Sequence, residues 1–388
     1  MDAEPGLHVL MTADGVGGVW SHALQLAAAL HKRGARVSLA TMGAPLSAAQ
    51  RAQALRVPAL ALHESAWRLE WMEDPWDEVR RAGEWLLALE AQLRPDLVHL
   101  NQFAFGALPF VRPKLVVAHS CVLSWWQAVH GEPAPAAWDR YREVVAAGLA
   151  GADRVAAPTA AMRAALAAHY GQRWARACVV LPNGRSSADF APGVKQPLVV
   201  SAGRLWDAAK NLQTLAAAAP GLAWPVRVVG PVEPPAGARG GPAAAPGVHW
   251  LGQLAPAELA AQLSVASIYA HPARYEPFGQ SVLEAGLSGC ALVLGDLASL
   301  REIWRDAALY VPPDDARALR AALAALIACP GLLRTMGRKA RQRALHFSPA
   351  RMAAAYMATY GQLLAAAGAG RRPPGAPAAQ GQEAACAS

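Results

Sequence analysis

The chain's 388 residues, 54% hydrophobic and 16% charged, suffice for two globular domains and exclude a chain kept disordered by its own charge. A formal charge of +8 suits anionic ligands and leaves peripheral contact with an anionic membrane open, but no dense Lys/Arg run favours nucleic acid. Five scattered cysteines without metal-ligand spacing, an acidic rather than basic start, and the lack of an apolar run long enough to span a bilayer lead us to expect a cytoplasmic protein.

The apolar run 7–11 is followed by glycines at 15, 17 and 18 and then by a helical pattern over Trp20–Arg33 that stops at Gly34, which predicts strand, glycine turn and helix. Short strands are expected at Val37–Thr41, Val57–Leu62, Leu97–Asn101, Leu115–His119, Val155–Ala157 and Cys178–Leu181, with helices such as Trp76–Leu93 and Trp138–Leu149 between them. This alternation predicts a parallel sheet with helices on both faces. A linker at Phe190–Gln196 follows, and the pattern restarts. Strands are expected at Pro197–Ala202, Val226–Val229, Val248–Leu251, Ile268–His271 and Leu292–Leu294, and helices at Asn211–Ala219, Gln280–Ser288, Ala316–Ala328, Leu332–His346 and Met352–Ala365. The segment Pro231–Pro246, rich in Gly and Pro, is expected to be a surface loop, and the tail 368–388 to be disordered. The fold class is therefore α/β, with domains at 1–192 and 193–347, a helix at 348–367 and the tail.

The stretch Arg274–Gly289 concentrates the chemistry. Glu276 lies in a Pro/Gly loop just before the helix and Glu284 inside it, so one ligand across the helix start could meet both carboxylates and the free N–H groups that attract anions. A sugar joined to a nucleoside by a pyrophosphate has hydroxyls at both ends and negative charge between them. In the turn after strand Pro197–Ala202, Arg204 and Lys210 place two cations at a helix start, where they can clamp a diphosphate. No D-x-D is present to hold a divalent ion, so no metal is expected and the two cations take its place.

The form E-P-F-G-x-x-x-x-E at 276–284, with G-R at 203–204 and K-N at 210–211, resembles the retaining GT-B glycosyltransferases of family 4. Such a resemblance implies two Rossmann-like domains facing across a cleft, with the last helix returning to the first domain. It implies no cofactor beyond the donor, a UDP- or GDP-linked sugar, and an acceptor that is a carbohydrate, a lipid-linked molecule or a small molecule. Arg204, Lys210, Glu276 and His119 are then the catalytic candidates, with His119 contacting the transferred sugar, Glu276 its hydroxyls and Glu284 the ribose. Gly17 and Gly18, together with Phe278, Gly279, Gln280 and Ser281 at the helix start, are the further donor-binding candidates. The nucleotide base would meet backbone near Leu251–Leu254. Ser120 departs from the H-D that many relatives have at this point.

Several alternatives stay open. Glycines 15, 17 and 18 lack the final small residue of a dinucleotide fingerprint, and the second strand ends without an acid for ribose, which argues against NAD. A sugar-nucleotide epimerase or a non-catalytic sugar-nucleotide binder on the same fold remain as rivals. Seven of the thirteen tryptophans fall between 67 and 138, and most are expected to be core. Trp125 and Trp126, just past His119, are candidates for stacking on an acceptor sugar.

Overall fold

The computed structural model describes residues 6–15, 17–172, 174, 178–231 and 246–370; all but the ends of the expected loop Pro231–Pro246 lies outside them, as does the expected tail 368–388 apart from 368–370, which continue the last helix. Two all-parallel sheets organise the chain. The first has the order β3-β2-β1-β4-β5-β6-β7, built from β1 His8–Asp14, β2 Arg36–Met42, β3 Leu60–Glu64, β4 Leu97–Leu100, β5 Lys114–Val117, β6 Arg154–Ala157 and β7 Cys178–Val180. The second has the order β10-β9-β8-β11-β12-β13, from β8 Gln196–Ala202, β9 Val226–Val229, β10 Val248–Trp250, β11 Ala266–His271, β12 Ala291–Gly295 and β13 Ala308–Val311. Strand order reverses beside β1 in one sheet and beside β8 in the other, so a crevice opens at the carboxyl ends of β1/β4 and β8/β11.

The strands are apolar on both faces because each sheet is covered on both. In β1, Val9 and Met11 join a core with Leu26 and Leu30 of the helix Gly18–His31, while Leu10 faces Leu86 and Leu100 on the other side. In the second sheet Leu198, Val200, Leu292 and Leu294 pack on one face, and Val199, Ala291 and Val293 on the other.

Three expectations need correction. The third strand begins at Leu60 rather than Val57, because Ala59 takes a left-handed φ of 55° and breaks the extended run. The edge strand β13 was not expected from the sequence. Further helices also form at Ala48–Leu55, Val122–His130, Ala160–Tyr170, Pro256–Val265 and Ala298–Trp304.

The helix Pro349–Gly370 leaves the second domain and packs on the first. Met352, Tyr356, Tyr360 and Leu363 are almost wholly buried against the helix Gly18–His31 and the first sheet. At roughly 1.5–3 kcal/mol for each fully buried large apolar side chain, these four supply much of what holds that face together. Among the described residues no single helix is long and apolar enough to cross a membrane.

Tyr360 also fixes the site from behind, since its hydroxyl lies 2.7 Å from His99 Nδ1 in the core. Tyr360→Phe should therefore lower the unfolding free energy by about 1–3 kcal/mol, the cost of a buried acceptor left unpaired. Urea denaturation followed by circular dichroism measures it, and a midpoint equal to that of the wild type would contradict the role given to this bond.

Candidate active site

Glu276 sits at the carboxyl end of β11 with its charge enclosed. Oε2 takes Lys210 Nζ at 2.7 Å and faces His271 Nε2 at 3.2 Å, while Oε1 accepts the Gly279 N–H at 3.0 Å. Burial by itself would raise this carboxyl, but Lys210 and His271 outweigh it and hold it far below the usual range. The loop can close this tightly because Gly279 has a φ of +89°, and a Cβ there would come within 3.0 Å of Val282 Cγ2 and 3.3 Å of Leu300 Cδ2.

Lys210 and Arg204 belong to the turn after β8, which Asp207 organises. Asp207 is 5% exposed; its Oδ2 holds Arg204 Nη2 at 2.8 Å, and its Oδ1 takes the Ala209 N–H at 3.0 Å and Trp125 Nε1 at 2.9 Å. Burial opposes its ionisation, and Lys210, Arg204 and Trp125 overcome it, leaving the carboxyl below its ordinary value. The first domain closes the other side of this turn. Gly17 carries a φ of +81°, and a Cβ on it would stand 3.1 Å from Arg204 Nη1; one on Gly18 would stand 3.8 Å from Gln280 Cγ. Two polar groups at this junction are buried without a partner among the described residues, namely Arg204 Nε and both amide atoms of Gln280. Orphaned polar atoms of this kind call for a bound group to complete them.

His119 follows β5 and is held by Asn101. The Asn101 Nδ2 group donates to the Thr12 carbonyl at 2.6 Å, which turns Oδ1 toward two imidazoles, His119 Nε2 at 2.7 Å and His99 Nε2 at 3.1 Å. An amide oxygen only accepts, so both Nε2 atoms carry hydrogen and His119 Nδ1 is left as an acceptor. His22 lies beside this pair, its ring 4.6 Å from that of His119.

Glu284 is also buried, and its Oε1 stands 3.0 Å from Nε of Arg185, which comes from the segment after β7. The Arg185 N–H is not aimed along that line, so the contact is an ion pair rather than a hydrogen bond. Burial raises the Glu284 carboxyl more than Arg185 lowers it, and Asp189 adds to the rise.

The structure thus brings Gly17, Gly18, Arg204, Lys210, Glu276, Gly279 and Gln280 to one junction. Ser281 is near it, with Oγ 2.8 Å from the Tyr269 hydroxyl. Phe278 is in the core, its ring edge-on to Phe347, so only its backbone is available to a ligand. Trp125 reaches across the cleft to Asp207, and Trp126 packs on His130 with ring centres 4.3 Å apart. Sequence reasoning missed Asp207, His271 and Arg185. Asp207 and His271 each carry a positional signal, the first between the two cations and the second as the last residue of a strand. The first domain also grips the glutamate loop directly, as the Tyr275 hydroxyl accepts the Cys121 N–H at 3.0 Å and Thr159 Oγ1 donates to the Pro277 carbonyl at 3.0 Å.

The sequence matches the family described as Glycosyltransferase Family 4 over residues 16–187 and that described as Glycosyl transferases group 1 over residues 196–329. No curated protein matches it. Among solved structures it resembles sucrose-phosphate synthase from Thermosynechococcus elongatus, with a TM-score of 0.78, 22% identity, 93% of this chain and 100% of that chain covered. HepE from Anabaena, solved in complex with UDP-glucose, gives 0.71 and 16% over 92% of this chain and 100% of that one. A glycosyltransferase from Rickettsia africae gives 0.69 and 14% over 92% and 99%.

The histidines set a pH dependence. Burial, with the charge of neighbouring rings second for His22 and His99, holds all three low, His99 at about 3 and His119 at about 4. As pH falls below about 6.5 the unfolded chain protonates these rings while the folded protein does not, so stability falls by about 1.4 kcal/mol per pH unit for each. His22→Phe should remove one of these uptakes and lower the slope of unfolding free energy between pH 6 and pH 4.5 by up to about 1.4 kcal/mol per pH unit. Denaturation curves across that range check this, and parallel slopes for the two proteins would refute it.

Proposed function

The chain belongs to the GT-B glycosyltransferases of family 4 and group 1, and from that membership we propose that it transfers a sugar from a nucleoside diphosphate sugar to an acceptor hydroxyl, with retention and without a metal. The observation that carries this reading is the junction where Arg204 Nε and the Gln280 amide are buried without partners, opposite the bare backbone of Gly17 and Gly18 and beside the Lys210–Glu276 pair. A diphosphate supplies the missing acceptors. The HepE structure with UDP-glucose favours a UDP-linked sugar as the first donor to try, with GDP-sugars next.

A count of unused groups supports these roles. Lys210 spends one of its three hydrogens on Glu276, and Arg204 spends Nη2 on Asp207, so both retain donors for phosphate oxygens. The first N–H groups of the helix Gln280–Leu287 point the same way. Glu276 has three partners for about four lone-pair positions, which leaves room for one sugar hydroxyl. His119 offers Nδ1 as acceptor to another. Among the described residues Glu284 is buried with a single, poorly aligned partner, and two ribose hydroxyls would relieve that shortage.

The bond from the anomeric carbon to the phosphate oxygen breaks, the acceptor oxygen bonds to the same face of that carbon, and the departing phosphate oxygen takes the acceptor's proton. Arg204, Lys210 and the helix start hold the charge that collects on the leaving diphosphate, and the ionised Glu276 opposes the positive character of the sugar ring. The closed domains keep water from intercepting the donor. The acceptor, whether carbohydrate, lipid-linked or a small molecule, would enter from the first domain past Trp126. Thermal-shift titration with UDP-, GDP- and ADP-sugars tests the donor class, and a protein unmoved by all three would be evidence against it.

Two kinetic outcomes follow from the geometry. Glu276→Gln should lower kcat by at least tenfold with little change in donor KM, whereas Glu284→Gln should raise donor KM by a similar factor and spare kcat. Steady-state rates with the donor varied separate the two, and the opposite pattern would reverse the assignments. Transfer should also survive EDTA, because Arg204 and Lys210 neutralise the diphosphate. Activity abolished by the chelator and restored by Mg²⁺ would rule out a metal-free clamp.

A further inference from the structure

A cavity of about 630 Å³ opens where the chain passes between the domains, between the far end of the helix Gly18–His31, the segment 185–187 after β7 and the start of the C-terminal helix. Its polar lining consists mainly of Lys32, Arg33, Arg185, Ser186, Ser187 and Ser348, and none of its described lining residues is acidic. Three cations and three hydroxyls without a carboxylate make a container for an anion with several oxygens.

The cavity is separate from the junction described above. Lys32 and Arg33 follow a fourteen-residue helix that begins at Gly18, so they stand roughly 20 Å from the glycine turn at 1.5 Å per residue. Leu287, also in the lining, ends the helix that begins at Gln280, about 10 Å farther along. No residue assigned to the donor lines the cavity. What joins the two places is Arg185, which lines the cavity and stands 3.0 Å from Glu284 Oε1.

We propose that this cavity binds a phosphomonoester dianion, held by Lys32, Arg33 and Arg185 with the serine hydroxyls completing its oxygens. Because Arg185 is shared, an anion there draws its guanidinium from Glu284 and leaves that carboxylate to a ribose. Occupancy of the cavity therefore strengthens nucleotide binding, and nucleotide strengthens anion binding by the same factor. This link, unlike the site itself, rests on the donor role of Glu284. The walls come from both domains and from the start of the C-terminal helix, so a bound anion also favours the closed arrangement.

Inorganic phosphate is the first probe, titrated calorimetrically into the full chain at constant ionic strength without nucleotide. One phosphate per chain is expected, with affinity reduced at least tenfold in Lys32→Gln/Arg33→Gln and changed less than twofold in Lys210→Ala. Both cations of the double variant are exposed, so the fold should persist, and circular dichroism verifies it. Loss of phosphate in Lys210→Ala with retention in the double variant would mean that the ion sits in the diphosphate clamp, and the proposal would fail. It would fail equally if the double variant bound phosphate like the wild type. Failure of the donor reading leaves this titration unaffected, because no nucleotide is in it. UDP titrated with and without saturating phosphate then reads the link, for which at least threefold tighter UDP binding is expected and equal affinity would eliminate the Arg185 coupling. Sedimentation with phosphatidylcholine vesicles carrying phosphatidic acid identifies the source. A lipid phosphomonoester would carry the wild type but not the double variant into the pellet, and a free one would carry neither.

Discussion

The buried charge of Glu276 is the constraint to which the rest of the site answers. A carboxylate withdrawn from water is costly unless its oxygens are matched, and here Lys210, His271 and the Gly279 N–H match them. Each partner comes from a different piece of chain: the turn after β8, the end of β11 and the start of the helix Gln280–Leu287. The two crossover connections and the glycine turn must all be formed before the charge is satisfied. A site built this way is largely assembled before any substrate arrives.

The same loop is where the domains meet. Tyr275 and Thr159 tie it to the first domain, Trp125 reaches Asp207, and the Ala160 and Ala161 N–H groups bind Glu302 at 2.8 and 3.0 Å. At about 0.5–1.5 kcal/mol net for each such bond, parting the domains at this seam costs only a few kcal/mol. The contacts are specific enough to define one closed arrangement and weak enough for the cleft to reopen. Asp207 serves both sides, since the carboxylate that orients Arg204 also receives the indole from across the cleft.

Much of the architecture was legible in the sequence because a parallel sheet covered on both faces demands unbroken apolar strands, and runs such as Leu97–Leu100 and Ala291–Gly295 meet that demand. The strand β13 escaped because it lies at the sheet's edge with Leu309 and Tyr310 only partly covered, so its pattern is diluted. In the candidate site, Glu276, Arg204 and Lys210 could be singled out because charges spaced within one loop or turn beside a helix start stand out in the sequence, and the fold brings Lys210 and Glu276 together. Arg185 could not, since it acts on a glutamate through a contact that only the folded chain creates, and the place of His271 at a strand end does not by itself name Glu276 as its partner. Phe278 illustrates the converse: its place in the motif suggested a ligand contact, whereas its ring anchors the loop in the core.

The helix that crosses back has a consequence for the order in which the protein can be made. The first domain's core includes Met352, Tyr356, Tyr360 and Leu363, residues that leave the ribosome after the entire second domain. Until they emerge, the face of the helix Gly18–His31 that they cover is left bare, and His99 lacks its tyrosine. The domain translated first is thus the last to be completed. During synthesis its half-built state must wait, with an apolar stripe exposed, while some 150 further residues are added at about 5–20 per second.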